Sequence, residues 1–144
     1  MTESIQIRNF NFLNDYPEVL KLWENAGDGI HLHRSDENDE ILKKLDRDPD
    51  LFLIAESRGR IIGAVMGAFD GRRGMVYHLA VAYSHRRRRL GRLLMEELEK
   101  RLRSKGCIRC YLMVAPENLE AASFYEDAGW SKLDLYVFGK DITE

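Results

Sequence analysis

The run Leu79-Ala-Val-Ala-Tyr-Ser-His-Arg-Arg-Arg-Arg-Leu-Gly-Arg92 sets five arginines between an apolar segment and a leucine-rich one. It reads as a strand, a basic loop and a helix start. A helix start exposes unpaired backbone N–H groups and the positive end of the dipole, and so binds phosphate. Arg86, Arg87, Arg88, Arg89 and Arg92 add charge, and Gly91 allows a ligand close to the backbone. The chemistry implied is a pyrophosphate cradle. Without a ligand, the same residues read as a solvated basic turn. The segment is neither a G-x-x-x-x-G-K-[ST] loop nor a G-x-G-x-x-G fingerprint.

Other reactive side chains are few. Cys107 and Cys110 form a C-x-x-C, but no second pair completes a zinc site, so both read as ordinary thiols. His31 and His33 lie in a glycine-containing loop, where they either line a site or stay in solvent. His78 stands alone on an apolar strand, a place more often filled by a packed histidine.

The 144 residues favour one domain, 1–144, and the net charge is −2. Residues 1–70 carry 8 basic and 14 acidic side chains, whereas residues 72–109 carry 12 basic and 3 acidic ones. This points to a local anion site; a general nucleic-acid binder is more often basic throughout. No apolar run approaches the roughly twenty residues of a membrane span, and no secretory signal opens the chain. A cytoplasmic location is the expectation.

The positioning elements follow from periodicity. Ile5 and Ile7 mark a first strand. Asp15, Pro17 and Glu18 predict a helix start with Asp15 as cap, followed by Val19, Leu20, Leu22, Trp23 and Ala26. Ser35 is expected to cap a second helix, with Asp36, Glu37, Asp39 and Glu40 in or near its first turn, where the dipole favours negative charge. Leu51–Ala55, Ile61–Phe69 and Met75–Val81 predict an antiparallel meander. Leu90, Leu94, Leu98 and Leu102 predict a helix over 89–105, ended by Gly106. Arg109–Ala115 reads as a strand, Asn118 as the cap of a short helix, and 130–140 as one or two last strands. The order is β-α-α-β-β-β-α-β-α-β. The class is α/β: one mixed sheet with helices on both faces.

The basic segment resembles the acetyl-coenzyme A motif of the GCN5-related N-acetyltransferases (GNAT), R/Q-x-x-G-x-G/A after a strand ending in Val. Arg86, Gly91 and Val81 match it. The motif's first glycine is Arg89 here, and a side chain disfavours any positive φ that the glycine supplied. Asn118, Ala121, Tyr125, Gly129 and Trp130 resemble the family's N-x-x-A-x-x-x-Y-x-x-x-G-F. Together with the element order, the resemblance spans nearly the whole chain and implies the GNAT acyl-CoA N-acyltransferase fold. Its flavour is that of small bacterial ribosomal-protein-alanine-acetyltransferase-like members.

The resemblance implies transfer from acetyl-CoA to a primary amine, on a small molecule or a protein N-terminus, without metal. Leu79, Ala80 and Val81 would pair with the pantetheine arm through their backbone, one N–H serving the oxyanion. Arg86, Arg87, Arg88, Arg89, Leu90, Gly91 and Arg92 would form the phosphate site. Asn118 would bind the arm or orient its helix, and Tyr125 would protonate the departing thiolate. The general base stays open between His78, Glu56, Glu117 and a water relay. Two alternatives remain: a CoA-binding sensor without turnover, and nucleic-acid binding through Arg86–Arg89, the less expected. Homodimer pairing through the last strands is a further expectation.

Overall fold

Three consecutive apolar runs pair into an antiparallel meander that forms the middle of the sheet. The computed structural model describes residues 4–143, apart from Arg88 and the Asp28 side chain. The strands are β1 (Gln6–Asn9), β2 (Phe52–Ser57), β3 (Arg60–Phe69), β4 (Gly74–Val81) and β5 (Cys110–Leu112). They lie side by side in chain order, antiparallel except for the parallel pair β4–β5. The helices are α1 (Phe12–Glu24), α2 (Asn38–Arg47), α3 (Leu90–Ser104) and α4 (Leu119–Asp127).

The apolar side chains form a cluster on each face of the sheet. On one face Val19 and Trp23 of α1 and Ile41 of α2 meet Phe52, Ile54, Ala64 and Met66. On the other, Leu90, Leu94, Met95, Leu98 and Leu102 of α3 meet Leu53, Val65 and Val76. Each such buried side chain contributes about 1.5–3 kcal/mol, so the leucine stripe fixes α3 firmly. Glycines in β3 set how closely: a Cβ at Gly67 would lie 2.6 Å from Leu98 Cδ1. The sheet surface must be bare there for α3 to settle over it.

Several expectations need correction. Helix α1 begins earlier than expected, with Asn11 as its cap: the Asn14 N–H donates to Asn11 Oδ1 at 3.2 Å. Asp15 is buried inside the first turn, where an ion pair with Arg8 at 2.8 Å holds it. A charge partner from β1 thus wins over capping. Ser35 does not cap α2: it sits in a separate 3₁₀ turn, Arg34–Asp36, and Glu37 occupies the cap position. The strand expected over Arg109–Ala115 shortens to Cys110–Leu112, because only those residues find ladder partners on β4. No strand forms over 130–140; Leu135, Tyr136, Val137 and Phe138 are exposed. Their alternation has the pattern of a strand, but a strand also needs a paired edge.

Candidate active site

A single inserted residue shapes the site. Met66 pairs with Tyr77 and Ala64 with Ala80, so three steps along β4 match two along β3. The surplus is a β-bulge at His78, whose φ is +48°. Bulges of this kind re-aim side chains. Here Val76 faces the α3 cluster while Ala80 faces the α1 cluster, opposite faces for residues an even number apart.

The bulge also lies where β4 and β5 part. Pairing of β4 with β5 covers Gly74, Met75 and Val76 only. Beyond it, Ala80 and Val81 keep β3 on one side, and Leu79, Ala80 and Val81 have no strand on the other among the described residues. The opening therefore presents backbone hydrogen-bonding groups.

The chain then enters the basic loop and α3. Arg86 turns back onto the protein. Its Nε donates to the Val81 carbonyl and its Nη2 to the Ala26 carbonyl, both at 3.3 Å, and its guanidinium stacks on Tyr83. Arg87 and Arg89 are exposed, each with φ +64°. Arg89 thus adopts the conformation that a glycine favours and caps α3 without a side-chain bond. That leaves the first-turn N–H groups open to an anion. Arg92, half-buried, reaches Glu96 at 3.3 Å. The Leu90 side chain is buried in the core, so only its backbone faces a ligand. Gly91 also has a packing role: its missing side chain makes room for Phe124 of α4. Arg88 lies outside the described residues.

Helix α4 closes the far side. Asn118 caps it, Oδ1 accepting from the Ala121 N–H at 3.1 Å. Its amide nitrogen faces Gly29 of the α1–α2 connection, close enough that a Cβ there would sit 3.3 Å away. Tyr125 packs edge-on against Phe124 and Trp130, with ring centroids 5.1 and 6.1 Å apart. Burial pushes its phenol up to about 12, so it keeps its proton through neutral pH.

The candidate bases separate clearly. Glu56 is taken by Arg8, at 2.7 Å, on the β1 side of the sheet. Glu117 is exposed in the turn before α4. His78 stands at the bulge, its Nε2 2.8 Å from Asp36 Oδ1 and its ring edge-on to Trp23. Burial acts to raise the Asp36 carboxyl, but the bonds from His78 and the His33 N–H outweigh it and hold the group below the usual carboxylate range. By sequence alone Asp36 reads as a residue near a helix start, favoured by the dipole. Its pairing with a residue 42 positions away leaves no local signal. His31 and His33 are exposed, and Cys107 and Cys110 are free thiols.

Both the sequence and the fold of the chain have counterparts among known proteins. Residues 15–130 match the model of the acetyltransferase (GNAT) family. An acetyltransferase of Pectobacterium atrosepticum is 39% identical over 97% of both chains. The chain belongs to the GNAT acetyltransferase family. It is thus an N-acetyltransferase. In fold, this GNAT protein superposes on the PaiA N-acetyltransferase of Thermoplasma acidophilum in complex with coenzyme A, with TM-score 0.79, 22% identity and coverage of 92% and 93% of the two chains. It also superposes on AAC(6')-Iy in complex with a bisubstrate analogue, with TM-score 0.75, 18% identity and coverage of 97% and 99%. No helix among the described residues of this GNAT chain is long and apolar enough to cross a membrane.

Proposed function

We propose that the chain moves the acetyl group of acetyl-CoA to a primary amine, on a small molecule or a peptide N-terminus, by direct attack on the thioester. The observation that carries this reading is the open β4 edge at Leu79–Val81, leading into the uncapped start of α3. An extended pantetheine arm fits that edge as an added strand. A pyrophosphate fits the first-turn N–H groups of α3 with Arg87, Arg89 and Arg92 around it. Arg86 ties this loop to the segment after α1 through Ala26. Asn118 orients α4 and so places Tyr125.

In the reaction, a backbone N–H near the bulge stabilises the charge that develops on the thioester oxygen. Tyr125 gives its proton to the leaving sulfur. Residues 1–144 act as one domain in this reading. The exposed Leu135, Tyr136, Val137 and Phe138 favour pairing of two copies through the C-terminal segment. The free thiols favour a cytoplasmic setting. With Arg86 turned inward, the basic run offers less to a nucleic acid than its composition suggests.

The test is a thermal-shift series with acetyl-CoA and CoA, followed by thiol release with a panel of amines. Ligand binding must raise the melting temperature by linkage. Absence of any shift at millimolar cofactor overturns the reading. A shift without thiol release from any amine would leave a CoA-binding module in its place.

A further inference from the structure

The general base is the unfilled role in this chemistry, because an amine must lose a proton to become a nucleophile. We propose that His78 is that base, its imidazole Nδ1 taking the proton from the acceptor ammonium, and that Asp36 is its positioning residue. The inference rests on the acetyl-transfer reading above.

Four observations carry it. First, His78 is the bulge residue itself, directly before Leu79, where the open edge begins. The bulge costs a left-handed backbone on a residue with a side chain, a feature that persists where surrounding structure or function demands it. Second, Nε2 lies 2.8 Å from Asp36 Oδ1. Asp36 is held ionised and can only accept, so Nε2 carries the hydrogen and Nδ1 carries the lone pair. Third, no hydrogen bond among the described residues reaches Nδ1, and the side chain is 17% exposed. That nitrogen is therefore available to an acceptor amine. Fourth, the pair is itself held in place. Asp36 Oδ2 accepts from the His33 N–H at 3.0 Å, the Asp36 carbonyl accepts from the Tyr16 hydroxyl at 2.7 Å, and Trp23 backs the imidazole at 5.0 Å. This is a base oriented by a third group, the arrangement that fixes a tautomer.

The titratable groups facing the pair are His33 on the connecting loop and Tyr16 on α1, with Glu24 and Glu37 acting on Tyr16 in turn and Tyr77 next to His78 along β4. None of them bonds to the imidazole, and the other two carboxylate candidates are committed to Arg8 or exposed.

The protons balance. Nδ1 accepts one proton from the ammonium and later yields it to solvent. The freed lone pair forms the N–C bond as the C–S bond breaks. The sulfur takes the Tyr125 proton, and the second proton lost by the nitrogen refills Tyr125 through water.

The experiment compares two amines of similar size and different basicity, ethylamine and 2,2,2-trifluoroethylamine, by thiol release from acetyl-CoA. Ethylamine is a cation at pH 7 and needs the base; the fluorinated amine is already neutral. His78→Gln should lower the ethylamine rate about a hundredfold at pH 7 and affect the fluorinated amine far less. Asp36→Asn should lower the ethylamine rate as well, yet keep the pH-dependent limb that His78→Gln abolishes. Acetyl-CoA-induced thermal shifts confirm that each variant folds. In the wild type, nitrogen-15 spectra should place the His78 proton on Nε2. Equal losses on both amines, no loss, or a proton on Nδ1 overturns the assignment while leaving acetyl transfer standing. A wild type that releases no thiol with these two amines, or with any amine of the panel above, overturns both.

Discussion

The space a side chain would fill at Gly91 is occupied by the ring of Phe124, whose nearest carbons would lie 3.3 and 3.5 Å from a Cβ. The motif glycine at the start of α3 therefore joins two helices as well as admitting a ligand. Gly91→Val should destabilise the protein by about 1–3 kcal/mol through overpacking. Gly91→Ala should change stability by no more than about 1 kcal/mol, since the better helix propensity of alanine offsets the tight contact. Urea unfolding of both variants, with and without Phe124→Leu, measures the coupling. If the Val variant gains nothing from the smaller partner, Phe124 is not the obstacle.

Arg89 occupies a glycine-like backbone conformation at φ +64°. Relief of that conformation is worth about 1–2 kcal/mol, and the freer unfolded chain of a glycine variant takes back about 0.4–1. Arg89→Gly should thus melt at the same temperature or a few degrees higher, yet bind CoA about tenfold more weakly through loss of a charge-assisted contact. Calorimetric titration and thermal melts separate the two effects. Unchanged CoA affinity would remove Arg89 from the phosphate site.

Tyr125 is packed mainly by aromatic neighbours, so Tyr125→Phe should fold normally and retain acetyl-CoA binding. Turnover should fall about a hundredfold. Because burial holds the phenol at about 12, the wild-type rate should not decline through loss of this proton below pH 10 or so. Undiminished turnover in Tyr125→Phe would show that another group protonates the thiolate.

Asp15 is buried, and although desolvation acts to raise its carboxyl, the bonds from Arg8 and the Asn11 N–H lower it overall. A folded-state value below the unfolded one adds stability that is complete above roughly pH 4–5 and is lost as pH falls through the folded value. Arg8 keeps Glu56, so Asp15→Asn should cost about 1–2 kcal/mol at pH 7, the loss of charge-assisted bonds. The gap to wild type should narrow as the pH drops below 4. Denaturant melts across pH 2–7 check both parts; a gap that stays constant would place the cost in packing and not in charge.

How legible each element was depended on where its partners lie. Helix α3 could be read almost to the residue, because its leucine stripe and Gly106 are local signals. Asn118 as a cap was legible for the same reason. The start of α1 was misread because a side chain on β1, Arg8, captures the residue that would have capped it. The segment 130–140 carries a strand's alternation, but pairing depends on an available edge and not on pattern.

The sequence by itself determined the meander, the packed helix α3, the basic helix start and the two motifs that resemble acetyltransferases, all built from residues close along the chain. Only the tertiary structure decided what those residues touch. It turned Arg86 inward onto Ala26 and filled the space beside Gly91 with Phe124. It ended the β4–β5 ladder at Val76 and brought Asp36 to His78 across 42 residues. Such contacts depend on how a bulge and a loop converge in three dimensions, and periodicity carries no record of that.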